Sequence, residues 1–446
     1  MVNVDDAING TRQNIYGFLP QQKDNGFYIA LEFFALVRGV CALNPQKLLA
    51  SDSNGKRYQR VSHDFARRVA CGVLPLHDLD GIVDREETLA ATQALFSSLL
   101  VVSPGQNKLS KNWKTRHFFP FNGEMVHYDA LERGRPPNRE IIIQEEVFRG
   151  AGRWLYAALS RDMDSQRKRV VIDRLQDLFA TDSSALGRLF TSAATHNVSP
   201  VESNFPDLLS SIDLREDVSE WPERLRQGVE NIVRRDDLPN ASRIRDLMHW
   251  MPFCLARHVL ALAAGTTDNP EPYLAVDLQR QSNQLKSQSQ SQVKDFRSLF
   301  TKALLAEMPQ EVLMDVSSSS AAMKRANKWS GATAGFFTQT LFKVGALNSE
   351  GGTRNFTITP PLSAALVAAA TPPGKEMNFN NFMDVMATNF GAVVGRPSLT
   401  TIKWLDRIDN GVFEKNERLF ASQLRASGLL TRYSDSTSMV HREVPR

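Results

Sequence analysis

The sequence predicts a mainly α, multi-domain protein in which winged helix-turn-helix units flank an all-helical middle domain. Three observations predict it. Apolar residues recur at helical spacing through most of the chain, polar breaks interrupt it in three places, and a helix followed by a polar-tipped hairpin recurs three times. At 446 residues, with 42% hydrophobic and 23% charged, the composition excludes a disordered or collagen-like chain. A net charge of +4 excludes a histone-like polycation, so any nucleic-acid surface is local. The three cysteines, Cys41, Cys71 and Cys254, are far apart. They exclude a disulfide scaffold and a Cys-rich zinc module, and point to a reducing, cytoplasmic setting.

The segment Met1–Gly10 is polar and carries Asp5 and Asp6 where a signal peptide carries positive charge. The greasy stretches Phe27–Leu43 and His249–Ala264 are interrupted by Glu32, Arg38, Arg257 and His258. Neither reaches the roughly 20 apolar residues of a bilayer span, so the expectation is a soluble protein with no membrane partner.

Taken in order, Phe27–Val40 and Val61–Cys71 read as helices that precede a first helix–hairpin copy at Arg85–Lys114, with its turn at Ser103–Asn107. Arg116–Arg139 is rich in Pro and Gly and reads as turns. Helical stripes follow, through Trp154 and Leu159, Val170 to Phe190, Trp221 to Val233 and Ile244 to Leu255. Gly265–Gln292 ends in QRQSNQLKSQSQSQ, which reads as a linker or a solvated helix end. Helices at Phe296–Met308 and Ser318–Lys328 then lead to the clearest copy, Gly331–Thr359. Its helix carries Phe336, Phe337 and Leu341, its turn is Asn348–Gly352, and Phe356 and Ile358 share one face of the returning limb. After the break Thr371–Asn378, a helix at Phe379–Phe390 precedes the third copy, Asn416–Arg442. The implied domains are 1–118 (winged helix), 140–264 (helical), 293–370 (winged helix) and 376–446 (winged helix).

Catalytic constellations are missing. The eight histidines form no H-E-x-x-H and no H-x-E with C-x-x-C, and there is no Walker A and no G-x-S-x-G elbow. SPGQNKLS (Ser103–Ser110) lacks the G-K-[ST] ending of a phosphate loop. Asp213, Glu216 and Asp217 read as a solvated helix start, and His249 and His258 as core histidines. No catalytic residue, metal or cofactor is therefore assigned. Charge is more informative. Lys108, Lys111, Lys114 and Arg116 fall on the first hairpin without an acid between Ser97 and His117. From Ser320 to Asn355, Lys324, Arg325, Lys328, Lys343 and Arg354 stand against Glu350 alone, whereas the third copy is nearly balanced. Each basic group reads either as a solvated face or as a contact to nucleic-acid phosphate.

Three segments carry a resemblance: Asn25–Ala50, the run RIRDLMHWMPFCLARH at Arg243–His258 with the following TDNPEPYLAVDL, and Phe296–Asn348. Together they resemble the DpdG-type winged-helix proteins of bacterial gene clusters that modify DNA with 7-deazaguanine and restrict foreign DNA. The resemblance covers about half the chain and leaves the region beyond Pro360 without a counterpart. It implies a non-catalytic, DNA-binding or scaffolding subunit of an anti-phage defence complex, with double-stranded DNA and a helicase, ATPase or nuclease as partners. The rival expectations are a pure protein-interaction adaptor and a winged-helix transcriptional regulator, which would dimerise on a palindrome.

Overall fold

The computed structural model describes residues 4–21, 26–50, 57–59, 130–133, 140–143, 150–179, 201–203, 212–279, 281–318, 320–349, 352–398, 402–434 and 437–442, with isolated positions between 90 and 120. These residues are mainly helical, and they divide into two compact units.

One unit comprises residues 28–211. Its helices are α2 (Phe27–Leu43, whose first residue belongs to the other unit), α3 (Ala151–Ser160) and α4 (Ser165–Leu178). Two antiparallel pairs accompany them, β1 (Arg57–Gln59) with β4 (Val201–Ser203) and β2 (Ala130–Arg133) with β3 (Glu140–Ile143). The core is aromatic, with Phe34 and Phe179 rings 5.0 Å apart and the Tyr156 hydroxyl accepting from Leu49 N at 2.8 Å. Glu32, the charge that interrupts the apolar stretch of α2, is fully buried for a reason. Its Oε2 accepts from Gly150 N (3.2 Å) and Gly152 N (2.8 Å), so a carboxylate closes the positive N-terminus of α3.

The other unit joins residues 1–27 to 212–446. It is organised around α6 (Asn240–Gly265), which is buried on nearly every side and touches α1 (Val4–Tyr16), α5 (Trp221–Val233), α7 (Gln284–Glu307), α9 (Ser320–Val344) and α10 (Pro360–Ala370). Among the described residues α6 alone is long and apolar enough to cross a membrane, and it is buried inside this unit. Gly228 lets α5 lie directly on the Trp250 indole, where a Cβ would collide with the ring. Arg442 forks onto both oxygens of buried Asp246 (3.1 and 3.3 Å), fastening the end of the hairpin region to α6. Arg12 of α1 donates to Thr333 Oγ1 at 3.1 Å and to the Pro20 carbonyl, while Ile8 packs with Leu304, Met308, Val312 and Ala326. The last two of these lie on α8 (Gln310–Ser318) and α9.

Beyond α9 the chain reverses. Leu347 bridges Phe356, and Phe356 in turn bridges Val276, which continues β5 (Leu274–Ala275), itself parallel to β7 (Ala392–Val393). From α10 onward the order is β6 (Met377–Asn378), α11 (Phe379–Thr388), β7, α12 (Asn410–Ala426) and the hairpin β8 (Leu430–Arg432)–β9 (Ser438–Val440). Strands β6, β9 and β8 form one antiparallel sheet in that order, and Phe382 stacks with Phe420 between α11 and α12.

Three expectations change. The middle of the chain is not purely helical, since the β-branched run at Ile141–Ile143 is a strand paired across residue 140, where a domain boundary was expected. Residues 212–446 form one unit across the expected boundaries at 264 and 370, because α6 packs with α5 and α7 across the first, and α12 packs with α7 and α10 across the second. Of the two readings of the Ser/Gln tract the helix end holds, since it forms the first turns of α7, capped by Asn283, whose side chain accepts from Lys286 N at 2.8 Å. Residues 320–344 are one helix, where a break was expected before Gly331. Of the first helix–hairpin copy only positions 90, 91, 94, 95 and 98 are described, as helix; its hairpin and Gly351 lie outside the described residues.

Phe337 sits at the centre of an aromatic cluster, 5.9 Å from Phe296 and 5.5 Å from Phe300 between ring centroids. Phe337→Ala is expected to cost about 3–5 kcal/mol in denaturant unfolding. Burial pushes His249 down from 6.5 to about 4 and His258 to about 3. Below pH 6.5 the unfolded chain therefore binds protons that the folded chain does not, and stability falls as the pH drops towards 4. Each histidine contributes a slope approaching ~1.4 kcal/mol per pH unit, so His258→Gln should flatten the loss between pH 7 and 5.

Candidate nucleic-acid interface

Of the nine cations singled out from the sequence, Lys108, Lys111, Lys114 and Arg116 lie outside the described residues. The other five lie on α9 and the reversal after it. Lys324 and Lys328 are one turn apart and exposed, Arg325 lies between them on the same helix, and Lys328 Nζ lies 5.2 Å from the Trp329 ring centroid. Lys343 is about 22 Å further along α9 at 1.5 Å per residue. It is only 8% exposed, its stem is packed on Gly26 where a Cβ has no room, and its ammonium lies 5.8 Å from the Phe342 ring centroid. The structure does not bring Lys343 to the other cations.

Arg354 stands on the returning limb of the reversal. Two asparagines brace that turn: Asn348 N donates to Asn355 O (3.1 Å), Asn355 N to Asn348 Oδ1 (2.9 Å) and Asn348 Nδ2 to Asn355 Oδ1 (2.7 Å). Gly352 takes φ +71°, which only glycine adopts without strain. Arg354 lines a cleft with Lys294 and Arg297 of α7, two cations that the sequence reading passed over. Their signal was present. Gln290, Lys294 and Arg297 follow the i, i+4, i+7 spacing of one helical stripe, but the tract before them read as solvent-facing.

The C-terminal helix and hairpin present a second surface. Phe413, Asn416, Phe420 and Leu424 face inward on α12, while Lys415, Arg418, Ser422 and Arg425 are exposed. Arg418 pairs with Glu414 at 3.2 Å, so the charge balance read from the sequence persists on this face. Beside it, Tyr433 donates to Glu376 Oε1 at 3.0 Å from the edge of the hairpin and is 61% exposed. Asn416 sets the position of α12. Its Nδ2 donates to Val276 O (2.9 Å) and Val394 O (2.7 Å), and its Oδ1 accepts from Leu278 N (2.8 Å).

The remaining polar groups serve packing. His249 Nδ1 lies 2.9 Å from Val344 O and His258 Nδ1 3.0 Å from Ser219 Oγ, both buried. Ser219 Oγ also accepts from Trp221 N at 3.3 Å, at the start of α5. Arg215 reaches Asp213 and Asp217 at 3.9 and 3.8 Å, and Arg226 pairs with Glu216, so this acidic cluster is neutralised within the fold. Burial raises the Cys254 thiol well above its ordinary range and Cys41 to about 11, which keeps both protonated near neutrality. Among the described residues no group of His, Cys, Asp or Glu is gathered that could hold a metal ion.

Comparison with known protein families, with curated proteins and with solved structures finds no match to this chain.

Asn416→Ala would orphan two carbonyls and an amide, each worth roughly 1–3 kcal/mol when buried unpaired. The expected result is a loss on the order of 3 kcal/mol or more by chemical denaturation, with greater proteolytic sensitivity of residues 389–442.

Proposed function

We propose that this chain is a non-catalytic, DNA-binding or scaffolding subunit of a bacterial multiprotein complex that acts against foreign DNA, and that residues 360–442 form a winged helix. The observation that carries the reading is the strand order β6–β9–β8 around α10, α11 and α12. In a winged helix the helix before the hairpin is the one that meets the partner, a place α12 takes in this reading; its charges are balanced, so the duplex contacts are assigned to the basic groups outside it. The stripe of Lys324 and Lys328 and the group Lys294, Arg297 and Arg354 add a basic surface. Contacts of this kind go to phosphates and fix position without reading sequence. The defence role rests on the resemblance of the three segments quoted above.

Exposed Tyr433 and Leu419, beside a balanced set of charges on α12, favour a second reading in which this face holds a protein partner.

Duplex affinity titrated against salt separates the two. Wild type should bind unrelated sequences alike, and the log–log salt slope should fall by about one for each phosphate contact removed. Lys324→Ala with Lys328→Ala, and neutralisation of Lys108, Lys111, Lys114 and Arg116, should each weaken binding more than Arg425→Ala with Arg432→Ala. Absence of duplex binding at low salt, alone or in the complex, would leave the adaptor reading in its place.

A further inference from the structure

The cleft between α7, α9 and the tip of the following reversal has a composition that backbone binding to a duplex does not require. Its volume is about 520 Å³, within the range of sites for small organic ligands and far more than a lone phosphate ion needs. Its apolar wall is the α9 surface at Gly331, Ala334 and Gly335, which overlies the buried Phe296–Phe300–Phe337 cluster. Gly331 lies on the α9 side, where a Cβ would meet nothing within 4 Å, so open space stands over the helix.

The rim carries Lys294, Arg297 and Arg354, and no acidic side chain is among the residues lining the cleft. Among the described residues, Lys294 and Arg297 form no ion pair, so their charge is not cancelled within the fold. Lys294 and Arg297, with Arg354 beside them, concentrate positive potential around a concave, partly apolar site, and the planar guanidinium fork matches phosphate oxygens two at a time. Gln290, Thr338 and Thr353 place donors and acceptors between the apolar wall and the charged rim.

We propose that this cleft binds a nucleotide, its phosphate held by Lys294, Arg297 and Arg354 and its base laid on the apolar wall above Gly331. The ligand is either a free nucleotide or the phosphorylated terminal nucleotide of a strand, since both offer the same chemistry. The proposal does not rest on the duplex reading, and its test uses residues outside the cations varied there.

The experiment is isothermal titration of the full chain with AMP, GMP and ATP, with adenosine and inorganic phosphate as controls. Two short oligonucleotides of one sequence are added, one carrying a 5′-phosphate and one a 5′-hydroxyl. A mononucleotide should bind at least tenfold more tightly than adenosine or phosphate, because each control supplies half of the recognition. Arg297→Ala, an exposed position, should weaken it at least tenfold. Gly331→Leu should abolish it by filling the cleft while leaving thermal melting and duplex affinity unchanged, since leucine has room there and favours helix. Tighter binding of the 5′-phosphorylated oligonucleotide than of free nucleotide identifies a strand end as the ligand, and the reverse order identifies the free nucleotide. The proposal is overturned if no nucleotide or oligonucleotide binds at millimolar concentration. It is equally overturned if adenosine matches AMP, or if Arg297→Ala binds as wild type does.

Discussion

Side chains on two helices complete a sheet that is too small to complete itself. Strands β5 and β7 contribute two residues each, and Val276 and Phe356 extend them by single bridges. Buried backbone groups so placed need partners that no further strand supplies. Helix α7 supplies some of them: Gln292 Oε1 accepts from Ala275 N at 2.8 Å, its Nε2 donates to Tyr273 O at 2.8 Å, and Ser289 Oγ accepts from Phe356 N at 2.7 Å. Asn416 of α12 supplies three more. The reversal after α9, the start of α7 and the seating of α12 are therefore fixed by one polar lattice rather than by separate local rules. Such a network is rigid when fully satisfied and costly when one member is lost.

Around this lattice the apolar core does the non-directional part. Helix α6 is buried along most of its length, and its neighbours come from every stretch of its unit. The polar residues that remain inside are held by specific partners: Asp246 by Arg442, and Arg257 by Glu271 Oε1 at 2.6 Å and Pro272 O at 2.9 Å. Charge left at the surface then has two settings. On α12 it is balanced by Glu414, whereas the described residues lining the α7–α9 cleft include Lys294, Arg297 and Arg354 and no acidic side chain.

The sequence made local periodicity legible and left long-range polar contacts hidden. The third helix–hairpin copy reads correctly because Phe413, Phe420 and Leu424 keep helical spacing and Gly428 ends the helix at φ +68°. Helix α6 reads correctly because nothing but a buried helix suits a segment apolar on nearly all sides. The Ser/Gln tract is legible as a helix end but not as a buried one, because its composition is that of a solvated segment, while the use made of Ser289 and Gln292 depends on strands that arrive from elsewhere in the chain. Gly331 suggests a helix break, yet a glycine costs a helix only about 1 kcal/mol and the packing of α9 on α6 and α7 outweighs it. For the site, charge alone showed Arg354 and the Lys324–Lys328 turn. It could not show that Lys343 turns inward on Gly26, nor that Lys294 and Arg297 complete a rim with Arg354.

The contact between Arg12 and Thr333 joins residues 321 positions apart. During synthesis at about 5–20 residues per second, α1 leaves the ribosome roughly 16–64 s before the helix that receives it. Residues 28–211, which make up a compact unit of their own, can assemble in that interval. The first helix cannot, and its apolar stripe around Ile8 and Ile15 stays open until α7 and α9 emerge. A nascent chain of this protein thus has a built-in waiting period at its own N-terminus, during which a ribosome-associated chaperone has a defined segment to cover.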